Sequence, residues 1–362
     1  MPPLVSLARW LGPWAADRIP RGIRREEIAV PSHDGPVRAY VYEPRGAASG
    51  AYFVAPGLHF QGPDDTRFDR FNRILAEAGF LVVAPFIRSY VALELAESAF
   101  GDARAAFTFL ARRARERGLA RPGVFSISFG SSLAFDLASH PETRDDVGGL
   151  VVFGGFCDFV PTVRFAVTGT ATSGARELRL ARDPLNAPVV YLNVLPFLDV
   201  DGDKAILAEA YREMVRRTWN QPELKLPGAR DPIARSIADR LPESLRAPFL
   251  RGCGLAPDAV RWLETGLDRA GEALSFIDPK PKLAGVRART VVVHGRDDDV
   301  IPYVEADKIV RHLPPGVVAG KFITGLYGHT TTERPSATAV AREIVALAGM
   351  LRALADAPRG RL

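Results

Sequence analysis

The feature that most constrains this chain is a rhythm that stops and starts again. From Arg24 to Phe153, runs suited to strands alternate with stretches whose apolar residues recur at helical spacing. Two of these runs, Ala51 to Ala55 and Phe80 to Pro85, are continuously apolar. A strand without polar alternation needs apolar cover on both faces, which predicts a mostly parallel central sheet with helices on both sides. Ahead of them, Arg24 to Val30 and Val37 to Glu43 flank the turn Ser32-His33-Asp34-Gly35-Pro36 and read as an antiparallel edge hairpin. The alternation ends near Cys157. For about 130 residues only helical stripes follow, such as Ile206, Leu207, Ala210, Tyr211, Met214 and Val215. It resumes with a buried strand from Thr290 to His294, a helix from Tyr303, a strand from Gly320 to Thr324 and a closing helix from Ser336. An α/β core over residues 1–156 and 286–362, with a helical insertion over 157–285, is the economical reading.

Within that frame one turn stands out, Ser126-Ile127-Ser128-Phe129-Gly130. It joins the run Val124-Phe125 to an apolar helical stretch from Ser131 to His140. A strand turning sharply into a helix holds a serine hydroxyl proud of the sheet, and only small residues fit two places to either side. Ser126 and Gly130 meet that demand, with Ser126 standing where glycine is usual. By itself the pentapeptide also fits a serine at an ordinary strand-to-helix turn. Ser132 lies in a similar string of small residues but falls inside the helix, so it is not a candidate.

Composition excludes several classes. The 362 residues are 47% apolar and 25% charged, a globular balance. The net charge of +5 is carried mostly by arginines scattered among acids, the first lysine being Lys204, so no nucleic-acid surface is indicated. Cys157 and Cys253 are far apart and in no metal-ligand spacing, so neither a disulfide framework nor a metal site is expected. No cofactor is implied, because there is neither a glycine-rich phosphate loop nor a His, Asp and Glu cluster. Residues 1–22 lack a basic start followed by a long apolar core, so no signal peptide is expected, and with no apolar run of bilayer length a soluble, cytoplasmic protein without a membrane span is the expectation. Nothing indicates the oligomeric state.

A serine hydroxyl attacks only when a base takes its proton, and the base needs an orienting acid. After the strand at Thr290 comes Gly295-Arg296-Asp297-Asp298-Asp299-Val300-Ile301-Pro302, and about thirty residues later Gly325-Leu326-Tyr327-Gly328-His329. Serine, acid and histidine thus follow in order, each at the carboxyl end of a strand. On these residues the chain resembles an α/β-hydrolase-fold enzyme with a helical lid inserted after the sixth strand, the likeness covering about residues 24–156 and 280–354. The resemblance implies Ser128 as nucleophile and His329 as base. It places the acid three residues after the glycine and four before the proline, at Asp298. It further implies that Pro56-Gly57-Leu58 is the oxyanion loop, with the Leu58 and Phe129 N–H groups as donors. Asp297 and Asp299 read as solvated or helix-capping, and Asp158, after the preceding strand, is the alternative acid. His294 reads as structural; His59 lies where substrate could touch it, or is a satisfied loop residue.

The implied function is a serine hydrolase that cleaves a small-molecule carboxylic ester through an acyl-enzyme. The same triad serves an acyltransferase, thioesterase, amidase or carbon–carbon hydrolase, and a ligand-binding protein that keeps the fold without turnover is the competitor from another class. The large side chains Phe197, Tyr211, Met214, Trp219, Phe249 and Trp262 are expected to form the core of the insertion, with some of them lining an apolar pocket.

Overall fold

The computed structural model describes residues 2–12, 17–325 and 337–362, the first four of the last stretch by backbone alone. Eight strands form the main sheet: β1 (Arg24–Val30), β2 (Val37–Glu43), β3 (Ala51–Ala55), β4 (Leu81–Pro85), β5 (Gly123–Ile127), β6 (Gly149–Phe153), β9 (Thr290–Gly295) and β10 (Val318–Thr324). A separate hairpin holds β7 (Thr170–Ser173) and β8 (Arg176–Arg179). The order across the main sheet is β1-β2-β4-β3-β5-β6-β9-β10. β1 and β2 pair antiparallel, β2 meets β4 antiparallel, and every pairing from β4 to β10 is parallel.

Period-two alternation distributes the inner strands between two cores. Phe53, Val83, Val124, Val152 and Val292 point to one face, where they meet Ala103, Phe107 and Leu110 of helix Ser98–Glu116 and Leu133 and Leu137 of helix Gly130–Ser139. Their neighbours Tyr52, Val54, Val82, Phe125 and Val291 point to the other, against Ile74 and Leu75 of helix Thr66–Glu77 and Leu351 and Leu354 of helix Ala337–Asp356. Such burial stabilises by about 1.5–3 kcal/mol per large apolar side chain, and a strand needs it on both faces. The helix over 66–77 starts where Asp65, not Asp64, accepts bonds from the Arg67 and Phe68 N–H groups. Asp64 instead accepts from the Tyr40 hydroxyl at 2.7 Å.

Between β6 and β9 the chain leaves the sheet. Helices at Phe159–Thr168, Ala187–Val194, Lys204–Thr218, Asp231–Ala238, Glu243–Gly252 and Ala259–Ala270 pack around a core of their own that includes Tyr191, Tyr211, Met214, Phe249 and Leu263. The sequence expectation of helices alone is incomplete here, because β7 and β8 form a two-stranded hairpin. Its signal is short: Gly174, at φ +60°, opens a two-residue loop between two four-residue runs. The helix at Asp231 also begins one residue earlier than a capping aspartate would have it. Arg230 takes the cap position without a side-chain bond, and Pro232 sits within the first turn, where its missing N–H costs nothing.

Polar clasps tie the insertion to the core. Asn193 donates to the Leu93 carbonyl at 2.9 Å and accepts from the Leu95 N–H at 2.7 Å. Arg212 donates to the Ala92 carbonyl at 3.0 Å, and Arg67 to Asn220 at 2.7 Å. Both cysteines are buried free thiols. No helix among the described residues is long and apolar enough to cross a membrane.

The seating of the longest helix of the first face on β3 can be tested directly. Phe107 is fully buried and meets Phe53 edge-on, ring centroids 5.8 Å apart. Phe107→Ala should lower stability by about 3–5 kcal/mol, read from the urea midpoint at unchanged slope. A change under about 1 kcal/mol would show that this contact is not part of the core.

Candidate active site

β5 delivers Ser128 to the carboxyl edge of the sheet and then turns at once into the helix that begins at Gly130. Ser128 has φ +53°, a left-handed backbone that serine adopts only at a cost of about 1–2 kcal/mol. Two contacts enforce it. The Ser128 N–H donates to the Phe153 carbonyl on β6 at 3.0 Å. Gly130 then lies so close to the loop after β3 that a Cβ there would stand 2.5 Å from the Pro56 oxygen and 2.6 Å from the Ala55 oxygen. Only glycine fits, which is the physical content of the small residue expected at this position.

The loop that presses on Gly130 continues as Pro56-Gly57-Leu58. Neither the Leu58 nor the Phe129 N–H makes a hydrogen bond among the described residues. The Phe129 carbonyl, by contrast, accepts from the Tyr90 hydroxyl at 3.2 Å, the Ser132 hydroxyl at 3.0 Å and the Ser132 N–H at 3.2 Å. Tyr90 is fully buried, and desolvation pushes its phenol well above the usual value, so it stays a donor. Sequence reasoning passed over Tyr90, which looks like any core aromatic, and set aside Ser132, which lies inside the helix as expected.

The three aspartates after β9 have different surroundings. Asp297 is exposed. Asp299 meets Lys225 of the insertion at 2.6 Å, and Lys225 in turn meets Asp183 at 2.9 Å. Burial raises the Asp299 pKa, with Lys225 opposing. Asp298 turns inward: one carboxylate oxygen accepts from the Val300 and Ile301 N–H groups, both at 2.9 Å. Its other oxygen faces Gly154, at φ +58°, where a Cβ would come within 3.1 Å. His294 is fully buried and its Nε2 is 2.9 Å from the Ile301 carbonyl, so it braces the same turn. Asp158 is engaged elsewhere, with Lys280 at 3.3 Å and Lys308 at 3.7 Å.

His329 lies outside the described residues. The strand that leads to it, β10, ends beside β9, with the Arg296 N–H donating to the Thr324 carbonyl at 2.7 Å. Glu343 fixes that end by accepting from the Thr324 hydroxyl at 2.7 Å and the Gly325 N–H at 2.8 Å. Its carboxylate serves the strand end from the closing helix, a role that no local motif signals.

Above Ser128 is an apolar pocket whose walls include Leu58 and Phe129 from the core and Phe159, Val163, Val190 and Trp219 from the insertion. Of the six bulky residues named from the sequence, Trp219 alone lines it; Tyr211, Met214 and Phe249 are buried in the insertion's own core, and Trp262 stacks on Tyr191 at 5.3 Å. Trp219 also stacks on His59 at 5.4 Å. Burial holds the His59 imidazole below its usual pKa, against the opposing pull of Asp65.

An antiparallel pair leading into six parallel strands, with an elbow serine after β5 and an acid turn after β9, settles the architecture. This is the α/β-hydrolase fold. No protein-family model and no curated protein sequence matches the chain. Among solved structures it is similar to brefeldin A esterase, a bacterial homologue of human hormone-sensitive lipase, at 16% identity over 99% of this chain and 86% of that one, with a TM-score of 0.49. An esterase from Pyrobaculum calidifontis is 18% identical over 98% of this chain and 89% of its own, with a TM-score of 0.46. The acylaminoacyl peptidase of Pyrococcus horikoshii is 11% identical over 83% of this chain, TM-score 0.43, and the match spans 36% of the peptidase. Scores this low carry nothing about activity, and the fold assignment rests on the strand order.

Two variants test the elbow. Ser128→Gly removes a side chain from a left-handed backbone and should stabilise the protein by about 1 kcal/mol, seen as a higher thermal midpoint. Gly130→Ala should destabilise it by about 1–3 kcal/mol, because two carbonyls must move aside. A neutral Gly130→Ala would mean that the loop after β3 is not held against the turn.

Proposed function

We propose that the protein is a serine hydrolase acting on a carboxylic ester, with Ser128 as nucleophile, His329 as base and Asp298 as the acid that orients it. The observation that carries this reading is the strained Ser128 backbone in the lining of an apolar pocket, together with Leu58 and Phe129, whose N–H groups have no partner among the described residues. Ser128 Oγ attacks the ester carbonyl as His329 takes its proton. The carbonyl oxygen becomes an alkoxide, for which the Leu58 and Phe129 N–H groups are the donors. Losing one side-chain donor of this kind raises a barrier by about 2.7–4 kcal/mol. The alcohol leaves with the proton from His329, and water, deprotonated by the same imidazole, releases the acid and frees Ser128.

Asp298 is preferred over its neighbours because one of its oxygens is fixed by two backbone donors while the other is turned to the carboxyl ends of β6 and β9. Asp299 is already committed to Lys225. The pocket's chemistry favours an apolar acyl or alcohol group, since aliphatic and aromatic side chains make up most of its wall. The residues contributed by the insertion give it the part of a lid that excludes water and sets chain length.

Three measurements test the proposal. A fluorophosphonate probe should label the protein at Ser128, and Ser128→Ala should lose both labelling and hydrolysis of nitrophenyl esters; undiminished turnover would falsify the assignment. Asp298→Asn should lower kcat by about 10⁴-fold, as an amide holds the imidazole in the wrong tautomer, whereas Asp297→Asn and Asp299→Asn should cost far less. Equal sensitivity at all three would mean that none has the orienting role. Val190→Phe should shift the preferred ester toward shorter acyl chains while probe labelling survives, and an unchanged ranking would remove the insertion from the pocket.

A further inference from the structure

A second pocket opens in the insertion, walled by Arg182, Pro184, Lys225, Pro227, Arg230 and Leu255. Its charges are not satisfied in the same way. Lys225 is taken by Asp183 and Asp299. Arg182 and Arg230 have no carboxylate within 4.0 Å among the described residues. Asp231 stands on the same wall, so the lining is not uniformly positive, yet it pairs with neither arginine. Arg230 is only 8% exposed, and its Nε is buried without a partner. The contrast with other arginines here is plain: Arg88, Arg104 and Arg164 each reach a carboxylate at 2.6 to 2.7 Å. A guanidinium cannot shed its proton to escape burial, so an unpaired one so far from water is expensive unless an anion completes it. Burial, and after it the neighbouring Arg230, hold the Arg182 guanidinium below its usual value, the direction expected of two cations sharing a site.

The arginines adjoin the Ser128 pocket. Arg182 donates through Nη1 to the Ala166 carbonyl at 3.3 Å, and Ala166 lines the Ser128 pocket. Arg230 Nη2 stands 4.0 Å from the place of a Cβ on Gly254, and the same place lies 3.6 Å from Ala187. Asn186, four residues after Arg182, also lines the Ser128 pocket, and its buried Nδ2 donor has no partner among the described residues. The segment 182–187 thus runs from one pocket to the other, with Arg182 and Pro184 lining the first and Asn186 the second.

We propose that Arg182 and Arg230 form an anion-binding subsite, and that the substrate is an ester carrying an anionic oxygen group, carboxylate or phosphate, away from the scissile bond. The ester half of this statement rests on the reading of Ser128 given above; the anion site does not. The planar guanidinium fork suits either anion through paired N–H···O bonds. The aliphatic and aromatic side chains of the Ser128 pocket would take the methylene chain that joins the two polar ends.

The test compares p-nitrophenyl hexanoate with p-nitrophenyl hydrogen adipate, which differs by a terminal carboxylate. The readout is the ratio of kcat/KM for the adipate half-ester to that for the hexanoate. Arg230→Gln and Arg182→Gln should each lower that ratio by about tenfold or more, the usual worth of a charge-assisted bond; a ratio unchanged within about twofold overturns the subsite. Because Arg230 is buried and its variant could fail to fold, the half-exposed Arg182→Gln, with Arg182→Lys as partial rescue, decides in that event. If neither ester is turned over, the reading of Ser128 falls, and calorimetry on the full chain decides the anion site alone. Monomethyl adipate or hexyl phosphate should then bind while hexanol does not, and Arg182→Gln should abolish the difference. Whichever anion binds more tightly names the group, and absence of binding by both overturns the proposal.

Discussion

The contact on which the site depends is between two backbones. Gly130 presses on the carbonyls of Ala55 and Pro56, so the turn after β5 and the loop after β3 are set against each other with no side chain between them. That approach requires β3 and β5 to be parallel neighbours in register, and they are, with Ala55 opposite Ser126. The same approach tightens the turn that holds Ser128 at a positive φ, and Leu58 and Phe129 line one pocket with Ser128. Strain at one residue is offset by the packing of a sheet whose inner strands are buried on both faces. The bond from Ser128 to Phe153 extends the arrangement to β6, and Gly154 then faces Asp298. Ser128, the loop at Leu58 and the turn at Asp298 are thus connected through strand ends rather than through a chain of side chains.

Much of this was legible because it is written locally. Unbroken apolar runs mark β3 and β4. The elbow could be read because its demands are steric and fall within five consecutive residues. Other features are not local. Tyr90 has the sequence surroundings of a core residue, and its bond to the Phe129 carbonyl exists only once helix 98–116 and its neighbours have placed it. Glu343 serves the end of β10 from a helix that follows it by many residues. The family pattern singled out Asp298 as the acid by position alone, and no local signal announces the pair of N–H groups at Val300 and Ile301 that sets its carboxylate apart from its neighbours.

The bulky residues of the insertion show where periodicity stops being informative. Tyr211, Met214 and Phe249 lie on the inward stripes of their helices, but inward means toward other helices of the insertion and not toward Ser128. Hydrophobic spacing reports that a face is covered and says nothing of what covers it. Apart from Trp219, the insertion's part of the pocket wall includes Phe159 and Val163 of the first helix after β6 and Val190 of the next, none of them among the large side chains singled out from the sequence.

The clasps between insertion and core have a consequence for how such a chain can be recombined. Asn193 and Arg212 bond to the backbone of residues 92–95, where Leu93 itself has φ +64°. That loop comes before β5, far in sequence from the two points at which the insertion enters and leaves the sheet. A graft that exchanged only the contiguous segment between β6 and β9 would leave the Leu93 carbonyl and the Leu95 amide facing a foreign surface. The transplantable unit is discontinuous: it includes the short loop after β4 with the helices that grip it. Substitutions in that loop and in those helices would accordingly travel together through descent, although a long stretch of chain separates them.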